Sequence, residues 1–231
     1  MNIIQNKALL LEASNPNVIL QTIPKSKPLD GNKVVVYWGI RESQVLSRLG
    51  YKKIPSPIKK DYKWQGKFKP FDHQIETSSF LTLHKRACCF NEQGTGKTAS
   101  VIWATDYLMN IGEVKRALII CPLSIMSSAW LTDLFSCAMH RTASICHGTK
   151  KKRQEILAEE TEFVVINYDG VEIVANEIAK GGFDLIVVDE ANAYKNTSTR
   201  RWKVLNKLAQ DVSYLWMLTG TPASQSPVDA F

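Results

Sequence analysis

The octapeptide Asn91-Glu92-Gln93-Gly94-Thr95-Gly96-Lys97-Thr98 constrains this chain more than any other feature, because it sits directly between the apolar run Ala87–Phe90 and the helical pattern TASVIWATDYLMN. Glycines at a strand-to-helix junction let backbone N–H groups turn inward on an anion. A lysine there reaches the outer phosphate oxygens, and a hydroxyl can hold Mg2+. Gly94, Gly96, Lys97 and Thr98 supply these parts, and Gln93 and Thr95 complete the loop that wraps the phosphates. Asn91 stands where the general pattern has its first glycine, so the strand–loop–helix context carries the reading more than the bare motif does.

Such a loop belongs at the carboxyl end of a buried strand, and the rest of the chain provides a sheet for it. The strand candidates are Ala87–Phe90, Ala117–Cys121, Ala143–His147, Phe163–Asn167, Leu185–Asp189 and Tyr214–Leu218. Helical patterns separate them, among them Thr199–Gln210 with Trp202, Leu205 and Leu208 on one face. Strands this apolar are buried on both faces, the habit of a parallel sheet covered by crossover helices. The expected fold is therefore α/β, a doubly wound parallel sheet with its ligand site beyond the strands' carboxyl ends.

Residues 1–66 read differently, as a small accessory α+β domain and linker ahead of a nucleotide-binding lobe at 67–231. Lys7–Glu12, Val18–Ile23 and Lys33–Trp38 are strand-like, Pro24–Asn32 is a turn-rich connection, and Ile40–Leu49 is a helix stopped by Gly50. The Pro- and Lys-rich IPSPIKKDYKWQGKFKP that follows reads as a linker.

Two further strand ends carry chemistry. In Phe183-Asp184-Leu185-Ile186-Val187-Val188-Asp189-Glu190, apolar residues run into two acids, which ordinary strands avoid because buried charge is costly. Beside a phosphate loop, Asp189 can hold Mg2+ and Glu190 can orient and deprotonate an attacking water. Leu218-Thr219-Gly220-Thr221-Pro222 also follows an apolar strand. Taken alone it is a turn; beside the loop, its hydroxyls can couple the γ-phosphate site to a neighbouring surface.

Composition narrows the setting. Lys and Arg number 29 against 22 Asp and Glu, a net charge of +7, which attracts polyanions without specifying one. Five cysteines, an odd count without zinc-ligand spacing, point to a reduced intracellular compartment. No apolar run approaches the roughly 20 residues a membrane span needs, and the amino terminus lacks a secretory pattern.

In order, the chain shows FKPFDHQ (68–74), NEQGTGKT (91–98), LIICPLSIMSSAW (118–130), CHGTKKKRQ (146–154), VVINYDG (164–170), IVVDEANAYKN (186–196) and LTGTPASQSPVDAF (218–231). This series resembles the first RecA-like lobe of superfamily 2 helicases and translocases, most closely the Swi/Snf-like branch and its bacteriophage relatives. The resemblance implies an ATP- and Mg2+-dependent motor on DNA, duplex or branched DNA being favoured over RNA because DEAN replaces the RNA-specific DEAD signature. It implies that Gln74 reads the adenine edge, a task suited to an amide with both donor and acceptor. It also implies that Pro122, Leu123, Ser124, Asn167 and Tyr168 touch the nucleic-acid strand, and that Asn192, Thr219, Gly220 and Thr221 couple the two sites. His147 and Gly148 match a family pair, though a histidine beside a strand is more often structural. Lys150–Arg153 is a phosphate grip, an import-like patch or a solvated helix start.

Two departures bear on mechanism. Asn192 stands where the family often has histidine. The sequence ends at Phe231, just after the last block, so the family's second RecA-like lobe, a required partner with its arginine fingers, is expected to be missing from these residues. Alone they are expected to bind ATP weakly, turn it over poorly, and neither unwind nor translocate. A non-catalytic nucleotide-sensing DNA-binding module and a motor subunit of a restriction system remain as alternatives. The expected location is the cytoplasm, the host's if the protein is viral, with the nucleus left open.

Overall fold

The computed structural model describes residues 1–220 and divides the chain into two compact units. One comprises Met1–Lys63 with Thr82–His84; the other comprises Trp64–Leu81 and the residues from Lys85 onward. No helix among the described residues is long and apolar enough to cross a membrane.

In the smaller unit, β1 (Asn2–Ile4), β2 (Ala8–Glu12), β3 (Ser26–Pro28) and β4 (Lys33–Tyr37) form an antiparallel sheet in the order β1-β2-β4-β3. Alternation sets its two faces. Leu9, Leu11, Val34 and Val36 point into a core with Ile19 and Ile23 from the α1 region (Pro16–Thr22) and Leu46 from α2 (Ile40–Arg48). Val18–Ile23, expected as a strand, lies in and just beyond helix α1. Pro16 in its first turn fixes a helical start, and Ile19 and Ile23 recur at the four-residue spacing of one helix face, which outweighs the strand preference of the apolar run. The turn-rich stretch holds strand β3, and Asn2–Ile4 adds an edge strand. The expected linker is packed: Ile54, Ser56 and Ile58 are buried, α3 (Ile58–Asp61) follows, and Trp38 Nε1 donates to the Pro55 carbonyl at 2.8 Å.

The larger unit is built on β5 (Arg86–Cys89), β6 (Ala117–Cys121), β7 (Ala143–Cys146), β8 (Phe163–Asn167), β9 (Leu185–Val188) and β10 (Tyr214–Leu218). All pair in parallel, in the order β5-β10-β9-β6-β8-β7. Every residue of β6, β8 and β9 is buried, as a sheet covered on both faces requires. The helices are α4 (Asp72–Leu83), α5 (Lys97–Asn110), α6 (Thr132–Cys137), α7 (Lys150–Ala158), α8 (Tyr168–Ile173), α9 (Ala175–Lys180) and α10 (Arg200–Asp211). Thr149 and Thr199 cap α7 and α10, their hydroxyls accepting the N–H groups of Lys152 and Trp202. Strand order brings the chemistry together, since β5, β10 and β9 are neighbours and the loops leaving them are the three singled out by their residues.

Candidate active site

The loop after β5 turns on two left-handed glycines, Gly94 at φ +77° and Gly96 at φ +73°, a backbone region that costs other residues about 1–2 kcal/mol. Gly96 is required twice over, because a Cβ there would collide with the Gln74 amide nitrogen. From Gly96 the chain enters α5 at Lys97, so the helix's first amides and its positive dipole end face the loop. The Lys97 ammonium lies over the loop and donates to the carbonyls of Asn91 and Glu92, each at 2.9 Å.

Asn91 has a part of its own. Its amide donates to the Thr77 hydroxyl at 2.8 Å, and that hydroxyl donates to the His73 carbonyl at 2.8 Å, so the side chain ties the loop's start to α4. The same helix meets the loop's middle: His73 Nε2 lies 3.0 Å from the Thr95 carbonyl, and Gln74 Nε2 donates to it at 3.3 Å. Gln74 Oε1 accepts the Phe71 N–H at 3.0 Å, leaving the amide largely occupied with local backbone. Neither His73 nor Thr77 is legible from sequence as a partner of the loop, since a polar side chain on a helix announces no partner.

Asp189 follows β9 and is 7% exposed. Its Oδ2 accepts the indole N–H of Trp130 at 3.0 Å, and its Oδ1 accepts the Glu190 N–H at 2.9 Å. Burial pushes the carboxyl above the ordinary aspartate value; those two hydrogen bonds and the charge of Lys97 act against that push. Lys97 and Asp189, from separate strand ends, thus share one electrostatic environment.

Glu190 takes a left-handed backbone, φ +48° and ψ +58°, uncommon for a side chain of its size. The strain is braced: the Tyr168 hydroxyl donates to the Asp189 carbonyl at 2.6 Å and lies 3.3 Å from that of Glu190. Tyr168 packs edge-on against Tyr194 at 5.6 Å between centroids, with the Arg201 guanidinium 5.2 Å from its own ring centre. Such strain persists where the surroundings over-determine it, commonly at functional sites.

Thr219 and Gly220 follow β10 directly and lie against the first loop and its strand. Thr219 is buried, its N–H donating to the Cys89 carbonyl at 3.1 Å. A Cβ on Gly220 would come within 2.8 Å of Gln93 Cγ and 3.7 Å of Lys97 Nζ, so glycine here lets the backbone after β10 approach the first loop. Thr221 lies outside the described residues. Asn192 sits in the 3-10 turn Ala191–Tyr194 directly after Glu190.

The residues expected at a nucleic-acid strand divide. Leu123 and Ser124 are exposed after β6, with Leu123 56% accessible, and an open turn there suits a contact surface. A π-helical turn, Met126–Leu131, then delivers Trp130 inward to Asp189. Asn167 is buried, its side-chain carbonyl oxygen accepting from Arg153 at 3.1 Å. Arg153 also donates to the Gly148 carbonyl at 3.0 Å and to the Cys146 carbonyl at 2.5 Å. Arg153 therefore departs from the solvated-helix reading, while Lys150, Lys151 and Lys152 beside it are exposed.

The donor set fits a nucleotide with its metal ion. The glycine cradle excludes side chains, and Asp189 keeps a further lone pair on each oxygen in a buried setting. Thr98 adds a hydroxyl at the first turn of α5. Among the described residues no group of three or more His, Cys, Asp or Glu forms a metal cluster.

Fold and site together define a P-loop nucleotide-binding lobe of the doubly wound α/β class. Residues 55–231 match the SNF2-related domain, and the chain belongs to that family. It is 25% identical over 159 residues to the uncharacterized ATP-dependent helicase YqhH of Bacillus subtilis, the match covering 67% of this chain and 27% of that protein. It is 27% identical over 167 residues to the ISWI chromatin-remodeling complex ATPase ISW1 of Saccharomyces cerevisiae, covering 68% of this chain and 14% of that one. The chain thus spans about a quarter or less of these relatives' length. Among solved structures, the SWI2/SNF2 ATPase core of Sulfolobus solfataricus in complex with dsDNA aligns with a TM-score of 0.64 and 26% identity, over 72% of this chain and 35% of that one.

Proposed function

We propose that this chain is the nucleotide-binding lobe of a DNA-dependent ATPase that couples ATP hydrolysis to movement on DNA when joined to a second RecA-like lobe. The observation that carries the reading is the convergence of three strand ends, with β5, β10 and β9 neighbours in the sheet and the Lys97 ammonium close beside Gly220. The family match and the likeness to an ATPase core in complex with dsDNA support ATP and DNA as the ligands. The motif blocks, which resemble those of bacteriophage members, support a place in that sub-branch.

In this reading the amides of Gln93–Thr98 wrap the phosphates, and Lys97 turns from its two loop carbonyls to the β- and γ-oxygens. Gln74, already against the loop, borders the adenine side. Thr98 and Asp189 would hold Mg2+, which would neutralise charge on the phosphate oxygens. The Glu190 carboxylate accepts a proton from the attacking water. Trp130 keeps the Asp189 carboxylate in place, and Tyr168 braces the peptide between the two acids. Both braces come from segments after β6 and β8 that carry the proposed strand contacts, giving DNA a short route to the acids. An arginine finger from the second lobe contributes about 10³–10⁵ in rate, so the lobe alone turns over slowly.

The test is ATP hydrolysis by the full-length protein with and without duplex DNA, for the wild type and Glu190→Gln. The proposal expects DNA to stimulate the wild type and expects Glu190→Gln to bind nucleotide without turnover. Wild-type turnover in Glu190→Gln would remove the assignment of that residue.

A further inference from the structure

The chain's net charge of +7 is not spread over the molecule. The smaller unit carries 11 Lys and Arg against 4 Asp and Glu, whereas the rest of the chain carries 18 of each. The whole basic surplus therefore belongs to the unit that lacks the nucleotide-site residues.

The sheet of this unit has two unlike faces. One face is sealed by the core around Leu9, Leu11, Val34 and Val36. The other bears the alternate residues Ala8, Leu10 and Val35, each only half-buried, and Tyr37, which is 46% exposed. Register places Tyr37 opposite Ala8, and Lys27 opposite Val35, so these side chains share that open face. A shallow groove runs there, lined by Lys7, Ala8, Lys25, Lys27, Val35 and Tyr37. The Lys25 ammonium stands 4.9 Å from the centre of the Tyr37 ring. Glu12, at the far end of the face, is paired across the strands with Lys33.

We infer that this open sheet face binds single-stranded DNA, the lysines meeting phosphates and Tyr37 with its apolar floor receiving an unstacked base. Duplex backbone needs only the charges. An apolar floor with an exposed aromatic ring matches bases that are splayed out, because stacking on a ring tolerates any sequence. Charge complementarity selects a polyanion; the ring and floor select a strand whose bases are available. The inference rests on the reading of the chain as part of a DNA motor and adds a second binding surface to it.

The experiment is fluorescence anisotropy of the full chain with a labelled oligothymidine and with a blunt duplex, over a series of salt concentrations. The expected result is that Lys7→Glu/Lys25→Glu/Lys27→Glu weakens oligothymidine binding at least about tenfold and flattens the salt slope by roughly 0.7 for each phosphate no longer neutralised. Tyr37→Ala is expected to weaken it by about fivefold or more with the slope unchanged, since stacking releases no counterions, and Tyr37→Phe restores it. Arg48→Glu/Lys52→Glu/Lys53→Glu, at the end of α2 and the turn after it, serves as the charge control and is expected to bind as the wild type does. Equal losses from both charge sets, or wild-type binding by Tyr37→Ala, overturn the inference. Wild-type binding to duplex but not to oligothymidine overturns it and leaves the DNA reading standing. Wild-type binding to neither overturns it as well, and the DNA reading is then decided by DNA stimulation of ATP hydrolysis in the full-length protein.

Discussion

The indole N–H of Trp130 donates to Asp189 Oδ2 at 3.0 Å, joining the segment after β6 to the acid after β9. Trp130 is wholly buried, so water cannot replace the missing partner when that hydrogen bond is removed. Trp130→Phe keeps most of the ring volume and deletes the donor. In the full-length protein we expect DNA-stimulated turnover to fall about tenfold, the equivalent of one hydrogen bond to a charged group. The Mg2+ concentration for half-maximal rate should rise, while nucleotide binding without metal stays unchanged. Steady-state kinetics over an Mg2+ series checks this; an unchanged metal dependence would assign Trp130 to packing alone.

The strained backbone of Glu190 predicts opposite effects on stability and activity. Glycine takes φ +48° without strain, so Glu190→Gly should raise stability by about 1 kcal/mol. The same change removes the proposed proton acceptor and should abolish turnover. Denaturant unfolding and an ATPase assay on one preparation read both effects.

Burial raises the Asp189 carboxyl, which fixes the sign of a pH effect. With its folded value above its unfolded one, the folded state binds more protons, and stability from this group declines as pH rises through the interval between the two values. Asp189→Asn removes that dependence. Thermal melts from about pH 7 down to about pH 4 should show the wild type gaining on Asp189→Asn as pH falls. A gap that widened in the other direction would contradict the burial argument.

Arg153 is expected to be structural. Its guanidinium reaches the carbonyls of Cys146 and Gly148 and the Asn167 side chain from a buried position. Arg153→Ala should destabilise by roughly 2–4 kcal/mol, because three acceptors are deprived of their donor. Replacing the exposed Lys151 and Lys152 should leave the melting temperature within a degree or two.

What the residues alone disclosed, and what they hid, follows from how locally each feature is encoded. The loop at 91–98 and the acids at 189 and 190 were readable because strand, turn and charge are adjacent in sequence. The parallel sheet was readable from apolar runs such as Leu118–Cys121 and Phe163–Ile166, which are buried throughout. Val18–Ile23 misled because a short β-branched run fits either period, and the partners that decide it, Leu9 and Val36, lie elsewhere in the chain. Ile54 to Ile58 looked like a linker because Pro and Lys are counted by composition, whereas their burial depends on Trp38 and the core beside it. The braces from Trp130 and Tyr168 were hidden for the same reason: each spans tens of residues to a carbonyl or carboxylate that no spacing rule connects to it.

The most direct test of the central claim is calorimetric titration of the chain with a non-hydrolysable ATP analogue, with and without Mg2+, for the wild type, Lys97→Ala and Asp189→Ala. The account predicts metal-dependent binding by the wild type, loss of binding in Lys97→Ala, and binding in Asp189→Ala that no longer responds to Mg2+. Equal affinity and equal metal response in all three proteins would mean that Lys97 and Asp189 do not share a nucleotide.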